Sequence, residues 1–144
     1  MEELRTPTPR EIAILKVLWE HGPCSVKDVH RILLDDERDK DLAYNTVQTM
    51  LRIMEEPKKG LVTHTVDGRT FIYSANYSRD ESAVRFLDRV FDGAADQLVL
   101  SLLRSERVPP QELERMQAMI EHARRRKTQG KTNRRPGRTA GENP

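Results

Sequence analysis

Apolar residues recur every three to four positions through the first third of the chain, then every second position, then every three to four again. Thr8-Pro9-Arg10-Glu11 reads as a helix start, with Thr8 as N-cap, Pro9 in the first helical position and Glu11 closing a capping box. Ile12, Leu15, Leu18 and Trp19 follow at helical spacing, and Gly22-Pro23 stops the helix near His21. Ser25-Val26-Lys27-Asp28 repeats the capping pattern, and Val26, Val29, Ile32 and Leu33 carry a second, shorter helix to about Leu34. Residues 35–41 hold five acids, so they read as an exposed connection that would repel phosphate and point away from DNA, or be mobile.

The next stretch, Ala43 to Met54, has two faces with different chemistry. Ala43, Val47, Met50, Leu51 and Met54 fall on one side of a helix and would dock on a core. Asn45, Gln48, Thr49 and Arg52 fall on the other. A solvated face is usually dominated by Lys and Glu, whereas this one carries a single full charge. Asn and Gln can bond adenine through two hydrogen bonds, Arg can do the same to guanine, and Thr can meet thymine or a phosphate.

After Glu56-Pro57-Lys58-Lys59-Gly60 the period changes from 3.6 to 2. Leu61 to Val66, the turn pair Asp67-Gly68, and Arg69 to Ser74 form a hairpin signal. Three helices and then a hairpin is the order of a winged helix-turn-helix, in which the third helix enters the major groove and the wing lies over the backbone. Asn45, Gln48, Thr49 and Arg52 would then read bases, while Thr46, Lys58, Lys59 and Arg69 would hold phosphates and set position.

From Arg79 the chain is helical again. Ala83, Phe86, Leu87, Val90 and Phe91 form a stripe ended by Gly93, and Leu98, Val99, Leu100, Leu102 and Leu103 form a short segment apolar almost all round. Pro109-Pro110 opens a last helix with Leu113, Met116, Ile120 and Ala123. Helices this short bury such residues poorly alone, so a symmetric homodimer sharing one core is the simpler solution. Its interface would use Phe86, Leu87, Val90, Phe91, Leu98, Val99, Leu102, Leu103, Leu113, Met116 and Ile120. The fold class is therefore mainly α with a small β-hairpin. We expect a winged-helix DNA-binding domain over 1–77, a helical dimerisation domain over 78–126 and a disordered basic tail over 127–144.

Charge sharpens that division. Residues 124–144 hold eight Lys/Arg against Glu142 alone, a net of +7, while residues 1–123 hold 17 basic and 22 acidic residues, a net of −5. Bulk charge therefore does not make the folded part a nucleic-acid binder, and the position of its cations must. The tail can serve as an arm on the DNA backbone or as a passive solubilising segment. No stretch approaches the ~20 apolar residues of a membrane span and no apolar signal core opens the chain, so no membrane insertion is expected and a cytoplasmic location is the default. The single Cys24 excludes an internal disulfide. Neither a nucleophile–base pair nor a phosphate-cradling glycine loop is present, so we expect no enzyme, no cofactor and no bound metal.

The string Asn45-Thr46-Val47-Gln48-Thr49-Met50-Leu51, with Lys59-Gly60-Leu61-Val62 downstream, Leu15-x-x-Leu18-Trp19 before it and Phe71-x-Tyr73 in the wing, resembles the penicillinase and methicillin-resistance repressor family. The resemblance covers roughly residues 6–123. It implies a homodimeric repressor on a palindromic operator, with intertwined C-terminal helices and a link to antibiotic-resistance regulation. It further implies inactivation through a membrane-bound sensor metalloprotease, with the matching bond between Ser101 and Leu102. Pro57-Lys58 is a two-residue insertion against the family pattern, and the paired C-terminal cysteines of the copper-responsive branch are absent here.

Two other readings compete. The acidic balance of residues 1–123 fits a winged-helix protein-interaction module without sequence-specific DNA binding. His21-x-x-Cys24 with His30 is the one cluster worth testing as a metal or thiol sensor, with its members in and beside an interhelix turn. His64 and His122 are expected to be solvated.

Overall fold

The computed structural model describes residues 7–142, with side chains through residue 130. Six helices and a small antiparallel sheet follow one another as α1 (Pro9–His21), β1 (Cys24–Ser25), α2 (Val26–Leu33), α3 (Tyr44–Glu55), β2 (Val62–Asp67), β3 (Thr70–Ala75), α4 (Arg79–Phe91), α5 (Ala95–Arg104) and α6 (Pro110–Glu142). This is a winged-helix arrangement followed by further helices.

The capping signals are realised as hydrogen bonds. Thr8 Oγ1 accepts from the Glu11 amide at 3.2 Å while Glu11 Oε1 accepts from the Thr8 amide at 2.9 Å. Ser25 and Asp28 do the same for α2, and Ser78 and Glu81 for α4. Each box satisfies two amides that the first turn would otherwise leave open. Gly22, with φ of +80°, ends α1 by donating its amide to the Leu18 carbonyl.

The core lies where α1, α2, α3 and the sheet meet. Ile14, Val29, Val47, Leu51, Met54 and Val62 are fully buried there. On α3 the predicted face holds for Val47, Leu51 and Met54, which are inside, and for Met50 at the edge, whereas Ala43 is the N-cap ahead of the helix and is exposed rather than docked on the core. On α1 the apolar stripe proves to have two sides. Ile14, Leu15, Val17 and Leu18 are buried in the packing with α2 and β3, whereas Ile12 is exposed and Trp19 half-buried. Those two residues face the start of α4, where Trp19 Nε1 donates to the Tyr77 carbonyl at 2.8 Å.

The sheet has a strand that the sequence pattern hides. β1 pairs with β3, Cys24 opposite Tyr73 and Ser25 opposite Ile72, giving the order β1-β3-β2. Two residues are too few to show an alternation, so only the tertiary pairing reveals them. The hairpin turn also sits one residue later than expected. Asp67 pairs with Thr70, which makes Gly68-Arg69 the two-residue loop. Gly68 takes φ of +67° at its first position, the requirement of a type II′ turn.

The acidic connection is ordered. Residues Glu37–Asp39 form a 3₁₀ turn capped by Asp36, Arg38 pairs with Asp36 at 3.0 Å, and Arg10 of α1 reaches Asp39 at 3.0 Å. The Arg38 guanidinium holds the Asp36 carboxyl below the usual carboxylate range.

The chain divides into two compact units, Met1–Ala95 and Asp96–Pro144. The first extends past the expected boundary at residue 77, where the Trp19 hydrogen bond and two arginines placed over aromatic rings hold the start of α4. Arg79 lies over the Trp19 ring at 5.7 Å and Arg85 over the Tyr77 ring at 4.0 Å. α4 and α5 bury no residue in the single chain, and the described side chains of α6 are likewise exposed or half-buried. The backbone of α6 is helical to Glu142, across most of the stretch expected to be irregular. Residues 143 and 144 of that stretch lie outside the described residues.

Candidate nucleic-acid interface

α3 buries one side and leaves Asn45, Thr46, Thr49 and Arg52 exposed, with Gln48 half-buried. Tyr44 opens the helix with its ring exposed. It is held edge-on by His30, at a centroid distance of 5.7 Å, and His30 is itself fixed by donating Nε2–H to the Leu42 carbonyl at 2.8 Å.

Between α3, the wing and the start of α2 runs a groove of about 490 Å³. Gln48 and Arg52 line it from α3, Arg69 from the wing turn and Lys27 from α2, with Tyr44 and Phe71 among the remaining walls. Among the described residues no carboxylate lines it. Three cations therefore face one cleft in a domain whose net charge is negative. The acidic connection lies elsewhere, on a separate groove between α1 and α2 lined by Asp36 and Asp39. This geometry brings together Gln48, Arg52 and Arg69 of the predicted set. Asn45, Thr46 and Thr49 share the helix but lie outside the lining of the cleft, and Lys58 is exposed at the wing base.

Lys59 has a different partner from the expected phosphate. Its Nζ is 2.7 Å from Oε2 of Glu11, whose side chain is only 7% exposed. A carboxylate that buried requires a counter-charge, and the nearby lysine is committed to it. Sequence reasoning assigned Glu11 only its capping role, because nothing in linear spacing links residues 11 and 59.

The wing is tied to α3 by His64, which is not solvated as expected. Its Nδ1 donates to Glu55 Oε2 at 2.6 Å, and its ring stacks on Phe71 at 4.1 Å and tilts against Tyr73 at 5.5 Å. Burial pushes the Tyr73 phenol up, the Glu55 charge adds to this and Arg52 opposes it, so Tyr73 stays neutral at the floor of the cleft. Lys27, Tyr44 and Phe71 were missed in the sequence. Lys27 looked like an ordinary exposed helix residue, and Phe71 an alternating strand residue.

The proposed sensor residues do different work. Cys24 is buried in β1, and burial raises its thiol, as does Asp28, while Arg31 opposes. His30 is engaged with Leu42 and Tyr44. Among the described residues no group of three His, Cys, Asp or Glu is placed to hold a metal ion.

Comparison with known sequences agrees with this architecture. The profile of the penicillinase repressor family matches residues 7–122. The chain belongs to the penicillinase repressor family. The repressor match begins just ahead of the α1 cap and stops within α6, leaving the basic stretch from Arg124 outside it. The penicillinase repressor of Bacillus licheniformis is 25% identical over 131 residues, which span 88% of this chain and 98% of that protein. Membership makes this repressor-family chain a DNA-binding regulator of transcription, in a family of generally non-enzymatic proteins. None of its helices among the described residues is long and apolar enough to cross a membrane.

Proposed function

We propose that the protein is a homodimer that represses transcription by placing α3 in the major groove of a palindromic operator, with the β2–β3 wing alongside. The acid-free cleft lined by Gln48, Arg52, Arg69 and Lys27 carries this reading. Gln48 and Arg52, with Asn45 and Thr49 on the same exposed helix, offer the paired donors and acceptors that base edges require. Arg69, Lys27, Thr46 and Lys58 supply phosphate contacts, which fix position. The basic residues from Arg124 add affinity without choosing sequence.

Dimerisation is supported by the apolar surface of the C-terminal helices. Val84, Phe86 and Val90 of α4, Leu102 and Leu103 of α5, and Leu113, Met119 and Ile120 of α6 are exposed in the single chain. Leu87, Phe91, Leu98, Val99 and Met116 are half-buried beside them in sequence. So much exposed aliphatic surface is unusual for a monomer and suits a self-complementary interface. Linking two half-sites multiplies operator affinity, and severing the link removes it. A cut between Ser101 and Leu102, in the middle of α5, would separate α6 from the rest, and a membrane-bound sensor metalloprotease fits that role. With no buried side chain, α5 can open locally to expose the bond.

A footprint on the DNA upstream of the protein's own gene, titrated at ~150 mM salt, tests the operator reading. The expected result is a protected palindrome with half-site centres one or more turns apart, ~10 bp each. Even protection that vanishes as salt rises would overturn it.

A further inference from the structure

A second cavity, of about 380 Å³, lies between α1 and α4 on a different part of the first unit from the DNA cleft. Ile12, Leu15 and Trp19 of α1, Leu61, and Ala83 and Phe86 of α4 form an almost wholly apolar wall. Trp19 contributes only its ring, because its N–H is already satisfied by the Tyr77 carbonyl. Arg79 and Arg85 line the cavity, with their guanidinium groups over the Trp19 and Tyr77 rings, and neither has a carboxylate partner among the described residues. A guanidinium placed over an aromatic ring spends none of its N–H groups on that contact, and they can meet a carboxylate or phosphate in a two-bond fork. The volume falls in the range of small-molecule pockets, and the combination of a greasy wall with a convergent polar edge is how such pockets are built.

We propose that this cavity binds an amphiphilic anion, a compact apolar chain or ring bearing one carboxylate or phosphate. The apolar body lies against Leu15, Trp19 and Phe86, and the anionic head is taken by Arg79 and Arg85. Such a ligand also bridges α1 to α4, which the single chain fastens by few contacts, so its binding stiffens α4 against the winged-helix core. The cavity lies apart from the DNA cleft and shares only Phe86 with the proposed dimer face, and its occupancy can be read without DNA.

Trp19 is the only tryptophan in the chain, so its emission reports the cavity directly. The full-length protein is titrated with decanoate and decyl phosphate below their micelle concentrations and with decanol below its solubility limit. The expected result is a saturable change in Trp19 emission with either anion and a much weaker one with decanol. If only one anion binds, the head group is identified as carboxylate or phosphate. Arg85→Gln is expected to weaken anion binding about tenfold while leaving decanol unaffected. Ala83→Phe, at an exposed position where folding is not at risk, is expected to abolish the change by filling the cavity. Equal responses to anion and alcohol, or a response that survives Ala83→Phe, would overturn the proposal. So would a Trp19 emission that shifts with protein concentration and resists all three compounds, which would mean that a second copy fills the cavity.

Discussion

Replacing Lys59 with methionine separates two roles that a lysine at the wing base can have. In the structure its ammonium is 2.7 Å from Glu11 Oε2, with Lys59 36% exposed and Glu11 7% exposed. Breaking a fully buried pair costs about 3–5 kcal/mol and an exposed pair about 0–1 kcal/mol. This pair lies between those limits, and Glu11 keeps its bond from the Thr8 amide, so Lys59→Met should cost about 1–3 kcal/mol. For a unit of the size of Met1–Ala95, each kcal/mol corresponds to about 4–8 °C in melting temperature. Because the penalty comes from an abandoned buried carboxylate, Glu11→Gln should rescue most of it, and a double-mutant cycle measured by thermal and urea denaturation gives the coupling. Unchanged melting together with weaker operator binding, and a salt dependence shallower by about one ion, would refute the reasoning and restore Lys59 as a phosphate contact.

Arg52→Ala is expected to cost about 1–3 kcal/mol of operator binding and to relax one base position, checked by titrating a panel of single-base operator variants. If the proposed homodimer forms through α6, Ile120→Asp should convert it to monomers in sedimentation analysis while leaving the helical signal intact, since Ile120 is 53% exposed in the single chain. Asp28 accepts a hydrogen bond from Arg31 and, as the closing residue of the α2 capping box, from Ser25, and these bonds hold its carboxyl below its ordinary value of 3.8. The folded value lies below the unfolded one, so this contribution is complete above about pH 4 and is lost as pH falls through the folded value. Urea melts across acidic pH should show that slope reduced in Asp28→Asn. Cys24 is buried with its thiol raised, so aromatic disulfide reagents should label it only as the protein unfolds, at a rate that follows denaturant concentration.

How far the sequence reaches can be seen element by element. Thr8-x-x-Glu11 and Ser25-x-x-Asp28 start helices where predicted because a cap is satisfied within four residues, and chain order alone places its partners. The buried face of α3 follows from the 3.6-residue period, and the wing from the change to period 2. Those are local signals, and they were enough for the helix order, the hairpin and the side of α3 left for a ligand.

Other features depend on residues far apart in the chain, and no local pattern encodes them. β1 exists only because Cys24 meets Tyr73, and the cleft gains Lys27 only because α2 begins beside α3 and the wing. Glu11 engages Lys59 across 48 positions, and His64 fastens the wing by reaching Glu55. A charge or an aromatic ring shows its type in the sequence, but its role is set by what the fold places within about 3 Å of it. Local patterning therefore sets the elements and the chemistry available on α3. Tertiary structure decided which cations remain turned to the cleft and which serve the core, because that choice depends on burial and on long-range pairing.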